Sequence, residues 1–351
     1  MARTLLLIAA LAASAPSVAG AYGEAGTSQQ SLQERALHLH TDRLRVEPGA
    51  PDAAFDDLAA VRPLILADEL AAASRFYAED IADNGCFPAD HSSCDGTPFS
   101  ERVSSFYPGG SFGENIARGQ ATAEVAVFQS WLYSDGHRAN MLDGDWNEIG
   151  TGHPGDEPVW VQDFGFRPGV DEPIITSAIH APLYPAEDQE VVFYAAVFEP
   201  EGVALQAMTL VVEDECYVMG TDRGADDKQT WSIDAPSGPA GCVRYFFAAL
   251  RQDGEEVSFP TTGSLQVPVG GAECTAWIAQ RAVASCAPPT FGGSGAGCGG
   301  SGQGYGPDAT VSGSVEYGSC ALSARPPGKG PVLGLLLGLA ALRRRRRGVR
   351  P

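Results

Sequence analysis

The stretch that decides the fold reads Gly113-Glu114-Asn115-Ile116-Ala117, then Trp131-Leu132-Tyr133-Ser134-Asp135-Gly136-His137-Arg138-Ala139-Asn140-Met141-Leu142, then Asn147-Glu148-Ile149-Gly150-Thr151-Gly152 and Val159-Trp160-Val161-Gln162-Asp163-Phe164-Gly165. Upstream lie Asp90-His91-Ser92, between Cys86 and Cys94, and Thr97-Pro98-Phe99. Two imidazoles, His91 and His137, and two carboxylates, Glu114 and Glu148, are the chemistry-bearing residues. Such a set suits zinc or another divalent metal with open positions. Burial that moved the acids toward neutrality would equally suit it to acid/base work.

These motifs, in this order, resemble the bacterial branch of the CAP superfamily (SCP/TAPS), over roughly residues 31–168. The resemblance implies an α-β-α sandwich with a large cleft that gathers two His and two acidic residues. On it, His91 is the first cleft histidine, Glu114 the acid of Gly-Glu-Asn, His137 the His of Gly-His-Arg, and Glu148 the fourth member. His91, His137 and Glu114 are then the metal-ligand candidates, with zinc as the candidate ion and no cofactor required.

Periodicity supports an α/β domain over residues 22–170. Ser31-Leu32-Gln33-Glu34 is a capping box opening a helix with His38, His40 and Arg43. Pro63 is expected to start a second helix, with Leu66, Leu70, Ala73, Tyr77 and Ile81 on one face. A third is expected over about Ala121–Tyr133, and strands over Glu148–His153 and Val159–Phe166. Arg138 and Asn140 read as loop and cap residues, Trp131 and Trp160 as core, and His153 as an outlying cleft candidate.

Residues 171–270 change to short β-rich runs: Ile174–Ile179, Val191–Phe198, Leu205–Val212, Val243–Leu250 and Leu265–Val269. That pattern suggests an immunoglobulin- or fibronectin-like β-sandwich acting as a spacer, with Cys216 expected to pair with Cys242. Residues 271–330 look like a flexible stalk, since nine of the sixteen residues 291–306 are glycine. It carries Cys274, Cys286, Cys298 and Cys320.

The ends read as addresses. Arg3, the apolar run Thr4–Ala13 and the small residues up to Ala21 form a signal peptide over 1–20. Export explains eight cysteines, an even number, as disulfides, with Cys86–Cys94 closing the loop around His91. Residues 331–351 join an apolar run to five arginines and are short for a membrane span of about 20 residues. With Cys320 and the Pro/Gly linker, they resemble the MYXO-CTERM sorting signals of bacterial surface proteins. That likeness implies export, processing near Cys320, membrane contact through the C-terminal segment and retention at the cell surface.

The 351 residues carry a net charge of −21. Without the terminal arginines, 16 cations face 44 acids, a charge of −28. An acidic body of this kind excludes a general nucleic-acid surface. The expected function is therefore a surface-retained, non-enzymatic CAP-domain protein. Its cleft would bind a small hydrophobic ligand, lipid among them, or a cell-envelope component. The alternatives are a metal-dependent hydrolase and a structural adhesin with a vestigial cleft.

Overall fold

A computed structural model describes residues 29–155, 157–202 and 204–282, all within one compact unit. The expected signal peptide, Cys286, Cys298, Cys320 and the sorting segment lie outside the described residues. Among the described residues, no helix is long and apolar enough to cross a membrane.

The first helix, α1 (Leu32–Val46), opens as expected. Ser31 Oγ accepts the Glu34 N–H, and the Glu34 carboxylate accepts the Ser31 N–H. Pro63 does not start a helix. Residues before a helix can pair with a sheet when a parallel partner is available, and here Ile65–Leu66 form strand β1 beside Glu148 and Ile149. Helix α2 (Asp68–Asn84) begins only after it and ends at Gly85, which takes the left-handed φ of 66° that glycine adopts without strain. Then follow α3 (Phe99–Phe106), β2 (Ser111–Arg118) and α4 (Asp135–Leu142), with β3 (Glu148–Gly152) and β4 (Val159–Phe166) where strands were expected. Between β2 and α4 the expected third helix is present but wide, with a π-helical run over Val125–Ser130 tightening to a 3₁₀ turn over Trp131–Tyr133.

These strands make one sheet in the order β1-β3-β4-β2. Helix α2 lies almost on the backbone of one sheet face. A Cβ at Gly150 would sit 2.0 Å from the Leu70 carbonyl carbon, and one at Gly152 would sit 2.2 Å from the Ser74 oxygen. The Glu-Ile-Gly-x-Gly spacing is thus a helix-docking device: two glycines, two apart, clear one face of β3.

The opposite face meets α1, whose Leu37, Leu39 and Leu44 share a core with Ile149, Phe164 and Trp160. Helix α1 is buried on its other side too, against the sheet that follows. Ten further strands build two sheets. One runs β5-β6-β10-β9, from β5 (Ile175–Ala181), β6 (Glu190–Phe198), β9 (Gly220–Ala225) and β10 (Lys228–Pro236). The other runs β14-β13-β11-β7-β8, from β7 (Ala207–Val212), β8 (Glu215–Val218), β11 (Gly241–Leu250), β13 (Ser264–Val269) and β14 (Trp277–Ile278), with β12 (Glu256–Phe259) also on β11. Phe193, Val197, Leu210, Tyr245, Phe247 and Val267 belong to one core that both sheets share.

Asp42 and Arg43 of α1 find partners across that junction. Asp42 accepts the Leu64 N–H at 2.8 Å and the Ser177 hydroxyl of β5 at 2.7 Å. Arg43 pairs with Asp222 of β9 at 3.0 Å while lying over the Tyr194 ring. His40 is half-buried, and desolvation, with Arg43 and Arg223 nearby, pushes its pKa down to about 3.

The expected Cys216–Cys242 bridge is not formed. Strand β8 sits on the far side of β7 from β11, whereas Cys242 lies opposite Pro268 of β13. Cys274 follows β13 directly and bonds Cys242, with 5.6 Å between their Cα atoms. Cys216 is disulfide-bonded as well, but not to Cys242.

Candidate functional site

His91 lies on the loop between α2 and α3, and Cys86 and Cys94 are joined around it. Its backbone takes a φ of 62°, a left-handed conformation that a non-glycine residue holds only when its surroundings enforce it. Here they do. The Tyr77 hydroxyl donates to the Ser92 carbonyl, Asp80 accepts the Cys94 N–H at 2.7 Å, and Arg102 donates to the His91 carbonyl at 2.8 Å. The sequence suggested that the disulfide braces this histidine; the structure adds two helices to the brace.

The His91 ring reaches the Gly-Glu-Asn acid, with Nδ1 2.8 Å from Glu114 Oε1. The other Glu114 oxygen takes Arg102 Nη2 at 2.5 Å. Arg102, on α3, is itself buried, its guanidinium 3.5 Å above the Tyr77 ring. Register supplies a fourth member, because Glu114 on β2 lies opposite Asp163 on β4 and both face α2. Asp163 Oδ2 accepts the Ser74 hydroxyl at 2.8 Å, and the two carboxyls are within hydrogen-bonding reach of each other.

Burial dominates the electrostatics. It pushes Glu114 up to about 7 against the opposing pull of Arg102. It raises Asp163 well above the usual carboxylate range, and the neighbouring Glu114 charge adds to the effect. Desolvation also lowers the His91 pKa, with Arg102 second, which favours the neutral ring.

His137 sits in the first turn of α4, half-buried, with Nδ1 2.8 Å from the Ser134 hydroxyl. Desolvation and then His91 lower its pKa, so the two imidazoles are within electrostatic reach. Helix α4 is tied to edge strand β2 by amides: Asn140 donates to the Glu114 carbonyl and to Asn115 Oδ1, and Asn115 donates to the His137 carbonyl. Asn140 is therefore more than a cap, and it links His-Arg-Ala-Asn to Gly-Glu-Asn. Arg138 holds the helix entry through the Leu132 carbonyl and Asp135, as a loop and cap residue should.

Glu148 is not in this network. It is fully buried on the same sheet face, but its oxygens are taken by the Tyr107 hydroxyl at 2.7 Å and by Arg167 at 2.5 and 2.8 Å. His153 is elsewhere too, stacked on Trp160 at 4.0 Å. The residues missed from sequence are Asp163 and Arg102.

Nor do His91, His137 and Glu114 converge as a metal set. Among the described residues, the group of possible ligands that does converge is Asp80, Cys86 and Cys94, whose two sulfurs are bonded to each other. At Glu114 the place of a cation is already held by the guanidinium of Arg102.

A family model described as the cysteine-rich secretory protein family (CAP) matches residues 41–164. A curated relative, the uncharacterized protein YkwD of Bacillus subtilis (strain 168), is 35% identical over 105 residues, 30% of this chain and 40% of the relative. The chain thus spans well under two thirds of that relative. Among solved structures, an extracellular protein containing a SCP domain from Bacillus anthracis str. Ames is 28% identical over 30% of this chain and 35% of that one, with a TM-score of 0.28. An outer surface protein from Borrelia burgdorferi is 20% identical over 39% of this chain and 96% of that one, with a TM-score of 0.32. The family match and the bacterial relative support a CAP domain in this part of the chain.

Proposed function

We propose that this chain is an exported protein, retained at the bacterial cell surface, whose CAP domain binds a ligand or envelope component without chemistry. The observation that carries the reading is the saturation of Glu114. Its oxygens serve His91 and Arg102, which leaves two half-buried, neutral imidazoles as the accessible polar groups. A site in which the acid is internally committed and the imidazoles face outward recognises through hydrogen bonds and shape.

The Cys86–Cys94 and Cys242–Cys274 bridges support export, since disulfides persist in oxidising compartments outside the cytoplasm. The signal peptide and the MYXO-CTERM-like segment, with Cys320, belong to the same proposal. The two facing sheets would act as an immunoglobulin- or fibronectin-like spacer, held to the CAP domain through α1.

The test is a binding screen of the secreted protein against lipid vesicles and solubilised peptidoglycan fragments, read by thermal shift. The His91→Ala/His137→Ala variant should keep its melting temperature and lose the ligand-induced shift. Chelation by EDTA should leave the unliganded melting temperature unchanged. Ester or peptide hydrolysis that disappears in the double variant would replace this reading with the hydrolase alternative.

A further inference from the structure

From the hydrogen-bond geometry we infer that Asp163 carries a proton at Oδ1 and donates it to Glu114, which fixes His91 with its proton on Nδ1 and a lone pair on Nε2. The ligand group that this site takes is then a hydrogen-bond donor, a hydroxyl or N–H. The ligand clause rests on the binding reading above; the proton assignment does not.

The argument is one of satisfaction. Asp163 is completely buried, and its Oδ1 has no hydrogen-bond partner while it counts only as an acceptor. Yet the Asp163 carboxyl lies within hydrogen-bonding reach of the Glu114 carboxyl, and two carboxylate oxygens can meet only through a proton. Two buried acids also face a single buried guanidinium, Arg102. Ser74 and the Tyr77 ring, the other α2 groups at the site, add no charge.

The proton could sit on either acid, and the neighbours decide. On Glu114 it would leave the negative charge on Asp163, which is fully buried and bonded only by the Ser74 hydroxyl, while the guanidinium of Arg102 sits on a neutral Glu114, the costly arrangement. On Asp163, every group is matched. Ionised Glu114 accepts from Arg102, from Asp163 and from His91 Nδ1–H, while Asp163 Oδ2 accepts from Ser74. Neutral His91 has spent its one N–H on Glu114, so its other nitrogen is an acceptor. The His91 side chain is 28% exposed, and the Phe99 ring beside it, 6.4 Å between centroids, offers an apolar wall. A hydroxyl or N–H on an apolar skeleton is the matching ligand chemistry. Asp163 is thus a positioning residue, acting on the ligand through Glu114 and His91.

The experiment is nitrogen-15 NMR of the histidine rings in the full secreted chain at pH 7. Wild type should show His91 with a pyrrole-like Nδ1 and a pyridine-like Nε2. Asp163→Asn, whose amide N–H replaces the proposed O–H, should keep that pattern. Phenol, titrated as a donor probe, should shift the Nε2 resonance and bind about threefold to tenfold more tightly than anisole, the worth of one hydrogen bond. A protonated Nε2 in wild type, or its appearance in Asp163→Asn, overturns the proton assignment. Equal affinity for phenol and anisole, binding of neither included, overturns the ligand class and leaves the proton assignment to stand on the ring pattern.

Discussion

Glu114 and Glu148 occupy the same face of the same sheet, both buried, each with an arginine and a tyrosine ring beside it. For Glu114 these are Arg102 and Tyr77; for Glu148 they are Arg167 and Tyr107. The two sites nevertheless do different work. Glu148 receives three donors from two side chains, Arg167 also reaches Glu69, and no histidine is involved. Glu114 spends one oxygen on a histidine that faces outward and has a second buried acid opposite it. On the proposed reading, a buried acid becomes part of a recognition site through what it leaves open. Residue type and sheet face do not decide it.

The comparison breaks most visibly at the arginines. Arg102→Met would leave two buried acids without a cation and should cost about 3–5 kcal/mol, since removing one partner strands the other's charge. Denaturant unfolding measures it. Next comes the brace around His91. Replacing Cys86 and Cys94 together by Ser should cost about 2–3 kcal/mol for a loop this short and broaden the His91 ring signals. Arg167→Met should cost about 1–3 kcal/mol, as Glu148 keeps the Tyr107 hydroxyl and the arginine is partly exposed.

A pH series separates the sites further. Burial raises the Glu114/Asp163 pair above the usual carboxylate range, so the contribution of its shared proton is full at low pH and is lost as pH rises through that raised value. His40 and His180 are lowered from 6.5 to about 3, so theirs is present above pH 6.5 and declines as pH falls toward 3. Melting temperature should therefore fall on both sides of a mildly acidic maximum. Asp163→Asn should flatten the alkaline limb, and Glu148→Gln should not. The smallest effect is that of Asp163→Asn on stability at pH 7, expected below about 1 kcal/mol, because an amide N–H stands in for the acid's O–H.

Much of this arrangement is legible in the sequence, for reasons that also explain the misses. His91, Glu114 and His137 stand in short local motifs, whereas the purpose of the Gly150/Gly152 pair shows only once α2 lies on β3. Asp163 sits inside Trp-Val-Gln-Asp-Phe-Gly with no mark of its own, because its role comes from facing Glu114 across two strands, a matter of register. Arg102, in Ser-Glu-Arg-Val, looks like an exposed helix cation until α2 and α3 close over it. Glu148 is drawn into the site by its neighbouring motif, although Tyr107 and Arg167 claim it. Helix α1 carries Arg35, Asp42 and Arg45, all buried by segments far along the chain: Tyr245 of β11 meets Arg35, Ser177 of β5 meets Asp42, and the Met141 and Asp143 carbonyls take Arg45. Strands β9 and β10 escape the sequence pattern for a similar reason, their acidic and Gly-containing runs resembling loop. The Cys242–Cys274 bridge depends on strand order, which spacing does not encode.

The contrast between the two acids is tested most directly by one spectrum, the His91 ring nitrogens in Glu114→Gln and in Glu148→Gln, each against wild type at pH 7. With its amide oxygen kept for Arg102, the glutamine introduced by Glu114→Gln must turn an N–H toward His91. The account therefore predicts that the His91 proton moves from Nδ1 to Nε2 in Glu114→Gln and stays in place in Glu148→Gln. An unchanged ring in Glu114→Gln, or an equal change in both variants, would contradict it.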